Sequence, residues 1–463
     1  MKKFLWDNET LKKACPAAKL YGECHGNRIC IDSREIERDD IFVAFRGEVV
    51  DGHDYVSEAL KRGASCAIIE HQPKNLKSNN HLMIVANAKK TLKELSVFNR
   101  NRSTAKIIGI TGSVGKTSTR EALLLACSVD GKSYCSKKNF NNELGLPISL
   151  ASMPLDTKYG IFELGMNHKG EIEQLTKILK PHLAIITKIA AAHIGFFNSL
   201  KNIALAKGEI FLGMKKNGIA ILNGDDEYYS LLADLASKQG ITNICRFGEN
   251  PNNENRLIKC KSGKIKANIS GTEIDYKIDA IGKHQALNTV AVLSAVNKLG
   301  IDLNTAATAL LKFSNIEGRG QSLKLKLGNK KILLIDDSYN ANPASIKAAL
   351  NAMKELSLEK NFRRKIAVLG DMVELGSFSE NSHKELAEPF EASDINKLIT
   401  VGPQMKYLFD LINKNKKLKH FLDYNDAIKN IFNLIEDGDY ILFKGSHGTK
   451  IYEIVKHLKK QTT

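Results

Sequence analysis

Residues 109–119 read GITGSVGKTST and have the composition of a loop that binds phosphate groups. The apolar residues before the loop predict a β-strand, and KTSTREALLLAC, which begins at Lys116, predicts a helix with an apolar stripe. Backbone N–H groups of such a loop, together with the helix N-terminus, point at phosphate oxygens. Lys116 can reach the β- and γ-phosphates of a nucleoside triphosphate, and the Thr117 hydroxyl can ligate Mg²⁺.

The loop departs from the G-x-x-x-x-G-K-[ST] pattern at one position, because Ile110 stands where the first glycine would be. Its form is better written T-G-S-x-G-K-T. An ordinary strand–turn–helix is the alternative, but the two glycines, the lysine and the threonine together favour phosphate binding. The residues predicted to bind the phosphates are Thr111, Gly112, Ser113, Val114, Gly115, Lys116, Thr117 and Ser118.

Two more candidate residues follow predicted strands. Glu163 lies at the carboxyl end of YGIFEL, and His193 follows LAIITKI. Ligands sit at the carboxyl ends of parallel strands, so both side chains are expected at the same rim. A carboxylate there could hold Mg²⁺, although an acid that caps a turn is the alternative for Glu163. For His193 the alternative is a histidine with a purely structural role.

Lys207 is expected on the buried stripe of a helix. In SLKNIALAKGEIF it follows Ile203 by four residues and precedes Ile210 by three. Burial disfavours the charged ammonium and lowers its pKa. The neutral amine could add CO₂ to form a carbamate, which would act as a carboxylate-like metal ligand. A lysine that extends its amine out to solvent is the alternative.

The elements that position these residues follow a regular order. From Lys106 onward, short apolar runs alternate with helical patterns, which indicates βαβ units and a mostly parallel sheet. Residues 256–281 alternate polar and apolar side chains, which predicts antiparallel strands appended to that sheet. A second α/β series begins at Gly318, with strands predicted in KILLIDD, KIAVLGD, KLITVG and YILFKG. Within it, Asn342 is expected to cap a helix whose first residue is Pro343.

The first block contains short predicted strands in RICIDS, IFVAF, CAIIE and LMIVA, and helices near residues 54–63 and 88–100. The polar stretch NRNRSTA, residues 99–105, is expected to be a linker. We therefore predict an α/β protein of three domains, with the second and third doubly wound. The predicted boundaries are residues 1–103, 104–317 and 318–463.

Composition limits the class of protein. The chain has 463 residues, of which 43% are hydrophobic and 26% charged, and no apolar run approaches the ~18 residues of a membrane span. The start, MKKFLWDNETLKK, lacks the apolar segment of a signal peptide. Eight scattered cysteines form no C-x-x-C pair, so neither a zinc site nor a redox motif is predicted, and reduced thiols in a cytoplasmic enzyme are expected.

The formal charge of +17 raises the alternative of a nucleic-acid partner. The densest lysine runs, residues 413–420 and 456–460, have no interleaved aromatic residues on which bases could stack. A solvated basic surface and anionic small substrates are therefore favoured over nucleic acid.

Several motifs together resemble the Mur ligases, the ATP-dependent enzymes that extend the peptide of the bacterial cell-wall precursor. The resemblance runs from about Ile31 to Gly448 and is carried by TGSVGKTST, FELGMN, HIGFFNSLKNIALAKGEIF, GKHQALNTVAV, EGRGQ and DDSYNANPASI. It implies an N-terminal domain that binds the UDP-linked substrate, a central ATP-binding domain and a C-terminal Rossmann-like domain. It also implies ATP and two Mg²⁺ ions as cofactors, a carbamylated Lys207, and a monomer in the bacterial cytoplasm.

The resemblance also narrows the reaction. The segment DSREIERDDIFVAFRGEVVDGHDYVSEALKRGA is similar to the uridine-diphosphate-binding domain of the last two ligases of the pathway. The D-N-P-R sequence usual in the ligase that adds the third residue is missing, whereas NFNNELGLP, FELGMNHKGEI and DDSYNANPAS are similar to the final ligase. The implied substrates are UDP-N-acetylmuramoyl-tripeptide and D-alanyl-D-alanine, joined through an acyl phosphate. Closure of the C-terminal domain about residues 318–320 is the expected means of excluding water.

The family's site residues are carried over by motif. Thr117 and Glu163 are implied as ligands of a first Mg²⁺, and His193 and carbamylated Lys207 as ligands of a second. For ATP, the implied residues besides the phosphate loop are Asn288 at the adenine, Arg319 at the phosphates and Asp336 near the ribose. The implied substrate-binding residues are Ser33, Arg34 and Arg46 for the uridine nucleotide, Asn141 and Asn142 for the muramoyl peptide, and Asn340 and Lys444 for the dipeptide.

Two positions depart from the family pattern, since His447 stands where arginine is expected and Val114 where asparagine is frequent.

Three other functions stay open. A sister ligase that adds a diamino acid is disfavoured by the missing D-N-P-R. A ligase like folylpolyglutamate synthase normally has its phosphate loop close to the amino terminus, which is not the case here. A P-loop ATPase that depends on nucleic acid would hydrolyse ATP in response to DNA or RNA.

Overall fold

The computed structural model describes residues 4–47, 50–73, 76, 81–137, 140–280, 282–357 and 363–462. It contains three β-sheets, drawn from residues 19–84, 106–277 and 321–444 in turn. Helices pack on these sheets, so the predicted α/β class is confirmed. Each sheet lies within one predicted domain, while the domain boundaries themselves stay a prediction. Among the described helices, none combines the length and the apolar character that crossing a membrane requires.

The N-terminal sheet has five strands in the order β1-β5-β4-β3-β2, with only β1 antiparallel to its neighbour. The helix predicted near residues 54–63 is a 3₁₀ turn, Gly52–Tyr55, followed by a short α-helix. The elements are α1 (Asn8–Ala14), β1 (Lys19–Tyr21), β2 (Arg28–Cys30), β3 (Asp40–Val43), α2 (Val56–Lys61), β4 (Ala64–Ile69), β5 (Leu82–Ile84) and α3 (Ala88–Arg102).

The central sheet has nine strands in the order β14-β13-β12-β11-β10-β9-β6-β8-β7. Pairing is parallel from β7 to β12 and antiparallel from β12 to β14, as the sequence pattern predicts. The strands are β6 (Lys106–Thr111), β7 (Ser133–Cys135), β8 (Tyr159–Glu163), β9 (Leu183–Ile186), β10 (Ile219–Asn223), β11 (Asn243–Gly248), β12 (Asn255–Lys261), β13 (Lys264–Ile269) and β14 (Thr272–Lys277). The helices are α4 (Lys116–Cys127), α5 (Gly145–Ala151), α6 (Glu171–Leu179), α7 (Ile194–Phe197), α8 (Leu200–Gly208), α9 (Tyr229–Lys238), α10 (Lys283–Lys298) and α11 (Leu303–Ala309).

The C-terminal sheet has six strands in the order β15-β16-β20-β17-β18-β19, and only the β15/β16 pair is antiparallel. Asn342 Oδ1 accepts from Ser345 N at 2.9 Å and caps a helix that begins at Pro343, which confirms the predicted cap. The elements are β15 (Gln321–Leu327), β16 (Lys330–Asp337), α12 (Pro343–Ser357), β17 (Arg364–Gly370), α13 (Ser379–Lys384), α14 (Ala387–Glu391), β18 (Lys397–Val401), α15 (Met405–Leu411), β19 (Lys417–Phe421), α16 (Tyr424–Leu434), β20 (Asp439–Lys444) and α17 (Ile451–Lys460).

The linker predicted at residues 99–105 is wrong for its first four residues, because α3 continues to Arg102. Asn99 Nδ2 donates to Leu150 O at 2.7 Å and to Met153 O at 2.9 Å. Arg100 donates from Nε and Nη2 to two carbonyls at the end of α6, at 2.6 and 2.9 Å. The polar side chains that predicted a solvated linker are thus buried, and they form hydrogen bonds between the N-terminal and central domains.

Arg100→Ala is expected to lower the free energy of unfolding by about 1–3 kcal/mol, since it leaves the carbonyls of Leu179 and Lys180 without this buried donor. Urea unfolding followed by circular dichroism measures the change. Lys93→Ala, at an exposed position of the same helix, is the control. A loss no larger than that of the control would show that the end of α3 does not depend on these bonds.

Candidate functional site

The loop between β6 and α4 has the backbone that close approach to phosphate requires. Gly112 (φ +150°) and Gly115 (φ +87°) both lie in the region that favours glycine. A Cβ atom at Gly112 would lie 1.9 Å from Thr187 Oγ1, and one at Gly115 would lie 2.9 Å from Asn288 Oδ1. Larger residues are therefore excluded at both positions by conformation and by space.

The loop is fastened to the segment that follows β9. Ser113 N donates to Lys188 O at 2.7 Å, and the Ser113 hydroxyl donates to Ala190 O at 2.9 Å. From the other side, Thr187 Oγ1 donates to Val114 O at 2.5 Å. These bonds hold the loop in shape through contacts within the protein, so its backbone is organised before a ligand binds.

Lys116 is the first residue of α4 and folds its side chain back over the loop. Its Nζ donates to Gly112 O at 2.7 Å. Burial lowers the pKa of Lys116, the Glu163 carboxylate opposes this shift, and the Arg319 guanidinium adds to it. Lys116 therefore lies within electrostatic reach of a carboxylate from the central sheet and of a cation from the start of the C-terminal domain.

Glu163 ends β8 and is 2% exposed. Thr117 Oγ1 donates to Glu163 Oε2 at 3.2 Å, and Arg120 Nη1 lies 2.9 Å from Glu163 Oε1 as an ion pair. Thr111 and Ser118, the outer members of the predicted loop, are buried as well. A hydroxyl and a carboxylate thus converge beside the phosphate loop, and both are oxygen donors of the kind that Mg²⁺ takes.

Lys207 is 2% exposed on α8, which confirms the burial predicted from helical spacing. Within the part of the chain that the structure describes, no carboxylate forms an ion pair with its amine. Burial, and to a smaller degree the charge of Lys116, lowers the pKa of Lys207 well below its usual value. Burial of this kind favours the neutral form of the amine, which is the nucleophilic form.

His193 stands just before α7 in a left-handed backbone conformation (φ +60°). Its Nδ1 lies 2.5 Å from Glu374 Oε2, and Gly195 N donates to Glu374 O at 3.0 Å. Contact with the His193 ring lowers the pKa of the Glu374 carboxyl, against the effect of burial. The structure therefore joins a predicted site residue of the central domain to a carboxylate of the C-terminal domain.

A cavity of about 340 Å³ lies between the central and C-terminal domains. The Arg319 guanidinium stands 4.3 Å from the centre of the Tyr339 ring, and Lys444 Nζ donates to Asp337 Oδ2 at 2.7 Å. The structure thus brings phosphate-loop residues together with Arg319, which lies in the expected hinge at residues 318–320, and with predicted residues of the C-terminal domain. The predicted residues that line the cavity are Ser113, Val114, Gly115, Ser118, Asn288, Arg319, Asn340 and Lys444.

Asp336 does not line this cavity. Its Oδ1 accepts from Ser338 Oγ at 2.5 Å, and its Oδ2 lies 3.4 Å from Lys459 Nζ. The neighbouring Asp337 lines the cavity instead, because consecutive residues of a strand face opposite sides of the sheet. Burial raises the pKa of Asp337, and the Lys444 amine acts against that rise. Of these two neighbours, Asp337 lies on the cavity and Asp336 does not, while the role predicted for Asp336 at the ribose stays a prediction.

The predicted uridine-binding residues lie in the N-terminal domain and do not line the cavity. Ser33 is buried. Arg34 is 80% exposed and pairs with Asp32 at 2.7 Å, while Arg46 is exposed. These three residues remain candidates for a separate part of a long substrate.

Asn141 and Asn142 lie between β7 and α5 and differ in what they contact. Asn141 O accepts from Gly165 N at 2.8 Å, just past the end of β8, so this residue reaches the rim that carries Glu163. Asn142 Oδ1 accepts from Gly145 N at 2.8 Å and supports the start of α5. The structure thus places Asn141 beside the end of β8 and gives Asn142 a bond within its own turn.

Four residues at this junction escaped the sequence analysis: Asp225, Glu249, His284 and Glu374. The first three line the cavity, and the fourth contacts His193. Asp225, Glu249 and Glu374 each follow a parallel strand at its carboxyl end, and His284 lies in the first turn of α10. The same rule that singled out Glu163 and His193 could have found the three acids.

Mg²⁺ is the metal that the resemblance implies, and part of the donor set fits it. Thr117 Oγ1 and Glu163 Oε2 are oxygen donors 3.2 Å apart. Lys207 as an amine does not fit a magnesium site, because Mg²⁺ takes oxygen ligands. His193 also offers a nitrogen rather than an oxygen, so the side chains as they stand do not fit a second Mg²⁺, and a carbamate on Lys207 would add the oxygen donors.

Comparisons with known proteins agree along the whole chain. Three family models match in succession: "Mur ligase family, catalytic domain" at residues 25–105, "Mur ligase middle domain" at 110–296, and "Mur ligase, glutamate ligase domain" at 318–447. The UDP-N-acetylmuramoyl-tripeptide–D-alanyl-D-alanine ligase of Rickettsia prowazekii is 37% identical over 98% of this chain and 99% of its own length.

Solved structures give the same picture. The crystal structure of MurF from Acinetobacter baumannii matches with a TM-score of 0.83 at 27% identity, over 98% of this chain and 99% of that one. MurF ligase from Thermotoga maritima in complex with ADP matches with a TM-score of 0.77 at 26% identity, over 94% of this chain and 97% of that one.

Gly112→Ala is expected to weaken binding of an adenine nucleotide at least about 10-fold, because a Cβ 1.9 Å from Thr187 Oγ1 forces the loop to move. Isothermal titration with ADP and Mg²⁺ measures the affinity. Gly300→Ala is the control. The backbone φ of Gly300 is also positive, at +74°, but nothing lies within 4 Å of the added Cβ. That control should cost about 1–2 kcal/mol of stability and leave nucleotide binding unchanged. Equal affinity in Gly112→Ala and the unmodified chain would argue against phosphate binding by this loop.

Proposed function

The chain belongs to the Mur ligase family, and we propose that it joins D-alanyl-D-alanine to UDP-N-acetylmuramoyl-tripeptide while ATP is converted to ADP and phosphate. A relative named for this activity is similar over nearly the whole chain, and so are two solved MurF structures. The product would be the pentapeptide form of the UDP-linked precursor.

The observation that carries the proposal is the gathering of cationic groups at the phosphate loop, where two domains meet. Lys116 and Arg319 act on each other electrostatically, and Lys207 is buried within reach of Lys116. Among them, the Glu163 carboxylate acts on Lys116 and the Asp337 carboxylate interacts with Arg319. Such a site suits a reaction in which two anions, a carboxylate and a triphosphate, must be brought together.

The reaction follows from the weakness of a carboxylate as an acylating agent. The terminal carboxylate of the tripeptide attacks the γ-phosphorus of ATP, the bond from that phosphorus to the bridging oxygen breaks, and ADP leaves. The resulting acyl phosphate accepts the amine of D-alanyl-D-alanine at its acyl carbon. The tetrahedral intermediate then loses phosphate and a proton to give the amide.

In this scheme the loop N–H groups and Lys116 hold the phosphates, and Arg319 offsets charge on the transferring phosphoryl group. Thr117 and Glu163 would hold one Mg²⁺, and His193 with carbamylated Lys207 a second. Bound Mg²⁺ would withdraw charge from the phosphate oxygens. Asn288 is proposed to contact the adenine. Because it lines the cavity, Asp337 is a better candidate for the ribose than Asp336.

The substrates are proposed to lie along the chain in the order of its domains. Ser33, Arg34 and Arg46 would bind the uridine nucleotide. The muramoyl peptide would pass Asn141 and Asn142, and the dipeptide would meet Asn340 and Lys444. We also propose that the chain works as a monomer in the cytoplasm. One chain supplies every group named here, and ATP is available in that compartment.

Release of phosphate from ATP with Mg²⁺ is expected only when both UDP-N-acetylmuramoyl-tripeptide and D-alanyl-D-alanine are present. Omitting each co-substrate in turn, with mass spectrometry of the product, tests this. A product heavier than the tripeptide by one dipeptide less water supports the assignment. Phosphate release that does not require the dipeptide but requires a diamino acid, a folate or nucleic acid would contradict the proposed function. It would favour one of the other three functions instead.

Lys207 is expected to form a carbamate in the intact enzyme. The neutral amine adds CO₂ and loses a proton, so the carbamate should accumulate as pH rises through the lowered pKa of Lys207 and disappear below it. ¹³C NMR in ¹³C-bicarbonate measures it as a carbamate signal. The signal should vanish in Lys207→Ala and persist in Lys201→Ala, at an exposed position of the same helix. A signal common to both variants would place the carbamate elsewhere.

A further inference from the structure

Arg319 lines the cavity beside the phosphate loop, and the charges around it do not by themselves hold it there. Its guanidinium adds to the lowering of the Lys116 pKa, so these two cations repel each other. Among the residues that the structure describes, no carboxylate forms an ion pair with Arg319, and Asp337 interacts with it through charge alone. An arginine side chain has many rotamers, and ordering it costs free energy. A contact other than an ion pair must therefore keep the guanidinium in place.

That contact is the ring of Tyr339, which follows β16. The Arg319 guanidinium carbon stands 4.3 Å from the centre of the ring, a distance at which a cation is attracted to the electron-rich face. Burial raises the pKa of Tyr339, the Arg319 charge opposes that rise, and the Glu163 carboxylate adds to it. Tyr339 itself does not line the cavity. It stands behind Arg319 and acts on the cavity through the guanidinium.

The backbone on both sides of Arg319 is tied to the end of β16. Tyr339 N donates to Gly318 O at 2.9 Å, and Gly320 N donates to Asp336 O at 2.8 Å. Gly318 has φ +72°, and a Cβ atom there would lie 3.0 Å from Tyr339 Cβ. The side chain and the backbone of Arg319 are thus both anchored on the C-terminal domain, although the guanidinium reaches a cavity that the central domain shares.

Two further rings support Tyr339. The centres of the Tyr339 and His447 rings are 5.6 Å apart, and the His447 ring is stacked on Tyr452 at 4.9 Å with an angle of 21° between their planes. His447 follows β20, and Tyr452 lies in α17. His447 stands where the family pattern has arginine, and its ring joins the other two into one row. This row of three rings ends at the Arg319 guanidinium.

We infer that Tyr339 is a positioning residue for the ligase reaction: its ring holds the Arg319 guanidinium at the phosphate loop, and His447 and Tyr452 hold the ring. This inference rests on the proposed function, because a role for Arg319 at the phosphates is part of it. The ring counters the repulsion from Lys116, so the guanidinium is in place before the γ-phosphate arrives. A cation positioned in advance stabilises charge on a transferring phosphoryl group without moving during the reaction.

The test measures binding of a non-hydrolysable ATP analogue and of ADP, each with Mg²⁺, by isothermal titration calorimetry. Tyr339→Leu keeps most of the apolar bulk and removes the ring face, whereas Tyr339→Phe keeps the face. Tyr424→Leu is the matched control, because Tyr424 is half-buried in the same domain and its ring contacts a different cation, Lys450, at 5.1 Å. Melting temperatures establish that each variant is folded. If Tyr339→Leu does not fold, His447→Ala, at an exposed position, is combined with Arg319→Ala in its place.

Tyr339→Leu should weaken binding of the ATP analogue about 3- to 30-fold, the range that a contact between a cation and an aromatic ring explains. Tyr339→Phe and Tyr424→Leu should stay within about two-fold of the unmodified enzyme. ADP should lose less affinity in Tyr339→Leu, because Arg319 is proposed to act on the transferring phosphoryl group. His447→Ala should weaken the analogue in the same direction and by less. The double variant Arg319→Ala/Tyr339→Leu should bind no more weakly than Arg319→Ala alone, since the ring acts through the guanidinium.

Equal affinity for the analogue in Tyr339→Leu and the unmodified enzyme would overturn the inference. Additive losses in the double variant would overturn it too, because Tyr339 would then act through general packing. An equal loss in Tyr339→Phe would assign the effect to the hydroxyl instead of the ring, against the inference. Failure of the unmodified enzyme to ligate D-alanyl-D-alanine would refute the proposed function instead. The calorimetry needs no peptide substrate, so it would still decide whether Tyr339 positions Arg319.

Discussion

The close approach of cationic groups at the phosphate loop is the constraint on which the rest of the site depends. Lys116 is coupled electrostatically to Lys207 and to Arg319, while Glu163 acts on Lys116 and is paired with Arg120. Packing cations together away from water is unfavourable unless anions enter or the amines lose their protons. The pKa values of Lys116 and Lys207 are both lowered, which favours loss of their protons. Binding of a triphosphate, or formation of a carbamate on Lys207, would supply the missing anions.

The three domains are joined by different kinds of contact. The N-terminal domain is attached through α3, where Asn99 and Arg100 are buried and bonded to carbonyls of the central domain. The C-terminal domain meets the central one where His193 contacts Glu374 and Gly195 packs against Gly376. Buried residues of both domains, among them Ile194 and Leu375, also belong to one hydrophobic cluster. Closure of the C-terminal domain, which stays a proposal, would have to break and re-form these contacts.

The carboxyl ends of parallel strands explain why the functional residues gather where they do. Glu163, Asp225 and Glu249 end or follow strands of the central sheet, and Asp337 and Glu374 do the same in the C-terminal sheet. The two sheets present these edges to a shared cavity, so each domain contributes polar groups to one space. A ligand large enough to span that space would contact both domains at once, which couples binding to docking.

Local patterns in the sequence were enough to determine the α/β class, the strand and helix that flank the glycine loop, the cap at Asn342 and the burial of Lys207. Each depends on residues that are neighbours in the chain or share one helix face. Tertiary structure alone decided that Asn99 and Arg100 are buried and hydrogen-bonded rather than part of a solvated linker. It also decided that Asp337, and not Asp336, faces the cavity. The pairing of Glu374 with His193 is a third outcome of this kind. These outcomes depend on which side of a strand faces a partner and on contacts between residues far apart in the chain, such as His193 and Glu374. No local period encodes them, because the free energy that selects them arises only when separate domains pack together.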